Sequence, residues 1–433
     1  MKPNTNKRAF ADPQCLVASH DWRLTKTCAK QRLAELKAQH AVSGFFDALS
    51  RPQAALQVFG GEFGSGLDFL LTWQWWNTAN SGGSLTYLAI WEQPLTLDQL
   101  RQTQQQWPQL QRQSQALQEQ YPGPIKGFHQ LDFGVVKLIL VQAPKAEAMA
   151  QIRPEFDVSL YPCVPESPTH QLHTSYQHPW QRPHNAMAQG SRVAVIGGGI
   201  SGTATAYSLS QRGFHVTLIE QGQNLASGAS GNRQGMLYAK LPDNATVAGQ
   251  FHQQGLQHSM ALIKRSLSSE HWRACGLLQL AKSSREDQQM QAVMARGYPS
   301  SWLQHLSLAD AQAMAKQPLA AGGLFFPASG WVSPAHWCQA LFELSGASLW
   351  RASQVQDLTQ DEGWQVQVTG DHQGLHHFDA VVLANANDAK ILVPQQALAL
   401  KSIRGQVSYV QSQQGPDVVV CGEGYVTPAQ SGL

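Results

Sequence analysis

The run Val193-Ala194-Val195-Ile196-Gly197-Gly198-Gly199-Ile200-Ser201-Gly202 constrains the fold of this chain more than any other stretch. A β-branched strand passes at once into G-x-G-x-x-G and then into a helical pattern that includes Ala204, Ala206 and Leu209. A second strand, residues 216–219, ends at Glu220. This order is that of a βαβ unit holding a dinucleotide. Gly197 permits the tight turn, Gly199 lets the backbone approach a pyrophosphate, and Gly202 lets the helix pack closely on the strand. Ile200 and Ser201 open the helix, whose first N–H groups and positive end face the phosphates. Glu220 stands where a ribose diol donates its hydrogen bonds.

Two further stretches favour FAD over a nicotinamide dinucleotide. The first is the small-residue string after Gly228, formed by Ala229, Ser230, Gly231, Asn232, Arg233, Gln234 and Gly235. Its backbone is able to lie along a long cofactor stretched from adenosine to flavin. The second is the apolar strand of residues 378–386, which ends in small residues at Ala384 and is read as returning to the nucleotide fold after an inserted domain.

With 433 residues the chain accommodates two or three domains. Hydrophobic content of 42% against 14% charged residues describes a globular chain rather than a disordered one. The six cysteines form no CxxC pair, so neither a zinc site nor a disulfide framework is expected, and reduced thiols point to the cytoplasm. No apolar run reaches ~18 residues, which argues against a membrane span. A net charge of +2 does not announce a nucleic-acid partner, although a local basic patch is compatible with one.

Residues 143–190 carry seven prolines among His170, His173, His178 and His184, and read mostly as a linker. No cysteine or acid stands at ligand spacing from those histidines, so no metal is expected. Ahead of the linker, in residues 1–142, lies a second strand–turn–helix–strand pattern. Strand 55–59 enters a glycine turn with Glu62, Gly64 and Gly66, an apolar helix follows from Leu67, and strand 85–90 precedes Glu92. S-adenosylmethionine is held on such a unit, with glycines at its amino-acid end and the acid on its ribose; a plain α/β packing turn reads the same way. Residues 96–121 read as a surface helix interrupted at Pro108. Residues 191–433 then form the FAD domain, with a substrate block at about 246–373.

The residues quoted resemble one family. Phe63-Gly64-Ser65-Gly66-Leu67-Asp68-Phe69-Leu70-Leu71-Thr72-Trp73, Pro94-Leu95-Thr96 and Gly127-Phe128-His129 resemble the methyltransferase half of bifunctional tRNA 5-methylaminomethyl-2-thiouridine biosynthesis proteins. The Ala-Ser-Gly-Asn-Arg-Gln-Gly string, Gly330-Trp331-Val332-Ser333-Pro334, Gly405-Gln406-Val407-Ser408 and Gly424-Tyr425-Val426-Thr427-Pro428 resemble the oxidoreductase half. The resemblance implies an α/β chain in which an incomplete Rossmann-like methyltransferase module precedes a FAD-binding Rossmann-type domain. That domain carries an inserted α+β substrate domain, as in the glycine and D-amino-acid oxidase class. It further implies FAD-dependent removal of the carboxymethyl group from the 5-carboxymethylaminomethyl group of a tRNA wobble uridine. S-adenosylmethionine would then methylate the amine. Gly60 and Trp91 stand where the family carries acids, its Asp-Gly-Phe-x-Pro segment is missing, and the chain reads as ending before the flavin is reached again. Methylation is therefore not expected here. A free amine or amino-acid oxidase, or an inactive chain that only docks tRNA, are the competing readings. No catalytic base is assigned, and the oligomeric state is left open.

Overall fold

A computed structural model describes residues 26–50, 55–79, 83–152, 156–160, 187–188, 190–243, 246–396, 398–412 and 414–430. It divides into two units, Met1–Pro183 and His184–Leu433. His170, His173, His178 and His184 lie outside the described residues, as do Pro162, Pro165 and Pro168.

In the first unit, five strands form one sheet in the order Gly127–Phe133, Val136–Gln142, Ser84–Ile90, Ala55–Glu62 and Val158–Ser159. All neighbours are parallel except the hairpin of the first two. The apolar runs of these strands suit a sheet covered on both faces. Helix Leu67–Ala79 is buried at every residue of its first two turns, from Leu67 to Trp73. The first strand continues past Phe59, where it was expected to end, through a register shift to Glu62. A Cβ on Gly60 would overlap the Tyr87 ring on the neighbouring strand, so glycine there is a packing requirement. The expected surface helix is two helices, Leu97–Gln104 and Gln111–Gln120, separated by a 3-10 turn that opens on Pro108.

The start of the expected linker is instead part of this unit. Lys145–Gln151 is a helix, Val158–Ser159 pairs with the first strand, and Ala143, Ala148 and Leu160 are buried. Pro144 is the N-cap of the helix rather than an interior residue, which is where proline is tolerated.

In the second unit, a four-stranded parallel sheet runs in the order Ser348–Trp350, His215–Ile219, Arg192–Ile196 and Ala380–Leu383. The chain order reverses between the last two strands. In open α/β sheets that reversal opens a crevice at the carboxyl ends of the strands. Helix Ile200–Ser210 packs against helix Pro334–Ser345 through Ile200, Ala204, Tyr207, Trp337 and Leu341.

A second sheet has the order Gln304–Leu306, Gly323–Phe326, Leu277–Leu280, Val419–Cys421 and Tyr425–Val426. The substrate block therefore differs from the stretch 246–373. Strands Ser353–Asp361 and Gly363–Gly370 bury Val355, Val366 and Val368 with Ala194, Ile196 and Ile219 of the parallel sheet, while residues 419–426 join the second sheet. Alternating valines on a strand face whichever apolar surface adjoins them, and that surface is not written in the segment itself.

Candidate cofactor site

The glycine turn of the second unit is closed from three sides. Gly197 has φ 109° and donates its N–H to the Ile219 carbonyl at 2.8 Å. A Cβ on it would come within 2.7 Å of the Ala384 carbonyl, and a Cβ on Gly202 would overlap the Gly197 carbonyl. Neither position admits a side chain without moving backbone. Gly198, the unassigned middle residue of the motif, is enclosed by side chains instead, those of Leu225 and Glu220. Gly199 differs. Only the Ser230 side chain approaches its Cβ direction, at 3.2 Å from the hydroxyl, which leaves an open cradle at the head of the helix.

The first-turn N–H groups of a helix have no acceptor within it. Here the Ile200 N–H donates to the Ser230 hydroxyl at 3.0 Å, and Ser201 is exposed in the same turn. Ser230 thus ties the small-residue string to the helix start. In that string Ala229, Gly231 and Arg233 are exposed, while Ser230, Asn232, Gln234 and Gly235 are half-buried.

Glu220 is buried and accepts three hydrogen bonds from its own surroundings. They come from the N–H groups of Gly198 and Gly222, each at 2.7 Å, and from the Ser227 hydroxyl at 2.8 Å. Its backbone is fixed as well, with N–H to the Trp350 carbonyl and C=O from the Ser353 N–H. The carboxylate therefore shapes the turn before it meets any ribose. Ala384, at the end of the returning strand, donates its N–H to the Ile196 carbonyl at 2.9 Å and so adjoins Gly197.

The far end of the string is gripped by later segments. The Arg233 N–H donates to the Tyr409 phenol oxygen at 3.2 Å, and its guanidinium lies 5.0 Å from the centre of that ring. Tyr425 donates to the Gln234 carbonyl at 3.1 Å, and Thr427 to the Gln234 side chain at 2.7 Å. Burial, and then the neighbouring Tyr409, pushes the Tyr425 phenol up, and burial also raises Tyr238. Both stay protonated near neutral pH, so neither is a base. Sequence reasoning passed over Gly198, Ser227 and Tyr409. The middle glycine of G-x-G reads as a free position, and Ser227 and Tyr409 act through contacts that no local pattern encodes.

The residues fit FAD. The cradle at Gly199 is open where a pyrophosphate approaches, an acid closes one side, and a small-residue string leads away from the helix start. These residues would hold FAD, and FAD would supply a hydride acceptor there.

In the first unit, Glu62 ends the first strand, and Gly64 and Gly66 take φ of 53° and 75° in a turn closed by the Gly66 N–H on the Phe63 carbonyl at 2.8 Å. A Cβ on Gly66 would meet the Phe63 ring at 2.7 Å and Leu117 at 3.3 Å, and the Gln104 amide donates to the Ser65 carbonyl. Past the second strand, Trp91 is buried, donates to the Tyr121 hydroxyl at 3.2 Å and meets the His129 ring edge-on. Glu92 accepts from the Lys145 N–H at 3.1 Å. Phe63 and Leu117 fill the space beside Gly66, Gln104 holds the Ser65 carbonyl, and the adjacent acid is engaged with a different helix. These residues do not fit S-adenosylmethionine, since the acid expected on its ribose is turned to another helix.

Among the described residues, no group of three or more His, Cys, Asp or Glu is placed to hold a metal ion, and no helix is long and apolar enough to cross a membrane.

Residues 192–433 match the family described as FAD dependent oxidoreductase. The tRNA 5-methylaminomethyl-2-thiouridine biosynthesis bifunctional protein of Methylobacillus flagellatus is 31% identical over 88% of this chain and 67% of its own. Its counterpart in Pseudomonas aeruginosa PAO1 is 32% identical over 84% of this chain and 65% of its own. The chain thus spans about two thirds of the length of these curated relatives. Among solved structures, glycine oxidase from Geobacillus kaustophilus superposes with a TM-score of 0.44 at 25% identity, covering 56% of this chain and 69% of that one.

Proposed function

The chain belongs to the FAD-dependent oxidoreductase family, alongside the bifunctional tRNA 5-methylaminomethyl-2-thiouridine biosynthesis proteins, and we propose that its second unit removes the carboxymethyl group from 5-carboxymethylaminomethyl-uridine at the tRNA wobble position. The family is one of FAD-dependent oxidoreductases, and the bond proposed to be oxidised is the carbon–nitrogen bond of the modified base. A hydride leaves the carbon between the amine and the carboxylate, and the amine gives its proton to solvent. Water then adds to the resulting C=N bond, releasing glyoxylate and leaving 5-aminomethyl-uridine.

The observation that carries this reading is the dinucleotide cradle of Gly197, Gly199, Gly202 and Glu220, with the 229–235 string fastened to the helix start through Ser230. In the proposal, Ile200 and Ser201 present the helix start to the pyrophosphate. Glu220 takes the adenosine ribose, and Ala229 to Gly235 lead to the flavin beside Ala384. The first unit is proposed not to methylate, since Gln104 occupies the Ser65 carbonyl of the glycine turn and Glu92, the acid expected on the ribose, is engaged by the Lys145 N–H. Its proposed role is to accompany the oxidase on tRNA in the cytoplasm.

The test offers the purified protein tRNA carrying the modified uridine beside free glycine and sarcosine, and measures glyoxylate and the modified nucleoside. Glyoxylate from tRNA with appearance of 5-aminomethyl-uridine supports the reading. Turnover of the free amino acids alone replaces it with the amine-oxidase alternative.

A further inference from the structure

The chain-order reversal in the parallel sheet lies between strands Arg192–Ile196 and Ala380–Leu383. Glu220 stands beside the first of these, at the end of strand His215–Ile219. On the other side stands the turn that follows Leu383. Its Ala384 carbonyl oxygen and Asn385 Cα lie 2.7 Å and 3.0 Å from the position a Gly197 Cβ would take. This turn therefore borders the crevice in which sheets of this kind bind ligands.

Two features of the turn have no account within the protein. The side-chain carbonyl oxygens of Asn385 and Asn387 are both buried and find no hydrogen-bond partner among the described residues. Buried acceptors are almost always satisfied, and a pair of exceptions in one turn calls for a donor. Between them, Ala386 has φ 52°, a left-handed conformation that an L-residue adopts only at a cost. Backbone held in such a region clusters at ligand clamps.

We propose that Asn385 and Asn387 form a polyol clamp that accepts hydrogen bonds from hydroxyls on the flavin side of the bound dinucleotide; this rests on the FAD reading above. The chemistry selects this part of the ligand. A pyrophosphate at neutral pH offers only acceptors, which two amide oxygens would repel. The adenosine ribose belongs on the Glu220 side of the central strand. What remains within reach of the opposite side is the ribitol chain of FAD, or the second ribose if a nicotinamide dinucleotide were the ligand. Both present hydroxyl donors. The flanking acid and the turn thus divide the ligand's hydroxyls between them, one group on each side of the pyrophosphate.

The test uses the full chain stripped of cofactor and titrated with ADP, FAD and NAD, alongside thermal unfolding of the apoprotein. ADP reports the adenosine side alone. Asn385→Ala and Asn387→Ala should each weaken FAD about threefold to tenfold, as the loss of one hydrogen bond does, and leave ADP unchanged. Because each substitution removes an unpaired buried acceptor, the apoprotein should melt at the same temperature or higher. A merely structural role moves the measurements the other way, lowering apoprotein stability and weakening ADP and FAD together, and that result overturns the proposal. Equal binding of ADP and FAD by the wild type overturns it too, because the polyol then adds nothing. NAD binding that responds to the two substitutions while FAD binding does not assigns the clamp to a ribose and refutes the ribitol. A wild type that binds none of the three refutes the dinucleotide reading itself.

Discussion

Replacing Glu220 by Gln should destabilise the second unit even when no cofactor is present. The carboxylate is 6% exposed and accepts from Gly198, Gly222 and Ser227. A glutamine keeps one acceptor oxygen. Its least costly orientation leaves that oxygen on Gly222 and Ser227 and turns the amide N–H groups toward the Gly198 N–H. One charge-assisted bond is then lost, worth ~1.5–3 kcal/mol, and two others fall to neutral strength, at ~1 kcal/mol each. The sum is about 3–5 kcal/mol, or a fall in Tm of about 6–20 °C for a unit of this size. Thermal unfolding of flavin-stripped wild type and Glu220→Gln, followed by circular dichroism, reads it directly. An apoprotein transition within about 2 °C of wild type would refute the reasoning, and would mean that the acid serves only a bound ribose.

Other expectations follow from the same geometry. Gly202→Ala places a Cβ against the Gly197 carbonyl, so the helix must lift from the strand, and the variant should purify without flavin absorbance. Gly199→Val should fold, since only Ser230 is near, but lose flavin retention; a flavin content equal to wild type would show the cradle misassigned. His40 is buried and pushed down to about 4 by burial, against the pull of its hydrogen bond to the Leu36 carbonyl. Its neutral form is favoured in the fold, so the stability it contributes is full above pH ~6.5 and declines as pH falls toward 4, by about 3 kcal/mol in total. Denaturant midpoints of wild type and His40→Gln should diverge across that window, and parallel curves would contradict the prediction. If tRNA is the substrate, its affinity should fall steeply with salt, with Lys264, Arg265, Arg273 and Arg404 as first candidates for phosphate contact.

The parts legible in the sequence are those carried by local pattern. The strand–glycine–helix–strand order placed Gly197, Gly199, Gly202 and Glu220 around one turn, because spacing alone determines how a βαβ unit closes. The returning strand at Ala380–Leu383 was legible from its apolar run. What stayed hidden depends on partners distant in the chain. The valines of Ser353–Asp361 and Gly363–Gly370 join the core of the parallel sheet, yet their alternation is that of any half-buried strand. Ala143, Ala148 and Leu160 are buried in the first unit although prolines surround them. Glu92 was read as a ribose acid from position alone, and its hydrogen bond to the Lys145 N–H depends on a helix that the proline count had argued away.

The central claim is that a flavin held by the second unit oxidises a carbon–nitrogen bond on tRNA. The most direct test mixes the purified, flavin-loaded protein with tRNA carrying 5-carboxymethylaminomethyl-uridine in the absence of oxygen and follows the flavin absorbance band. The account predicts bleaching of the band within the mixing experiment, with one glyoxylate released per flavin reduced and no comparable bleaching by free glycine. A band that glycine bleaches and the tRNA leaves unchanged would contradict it.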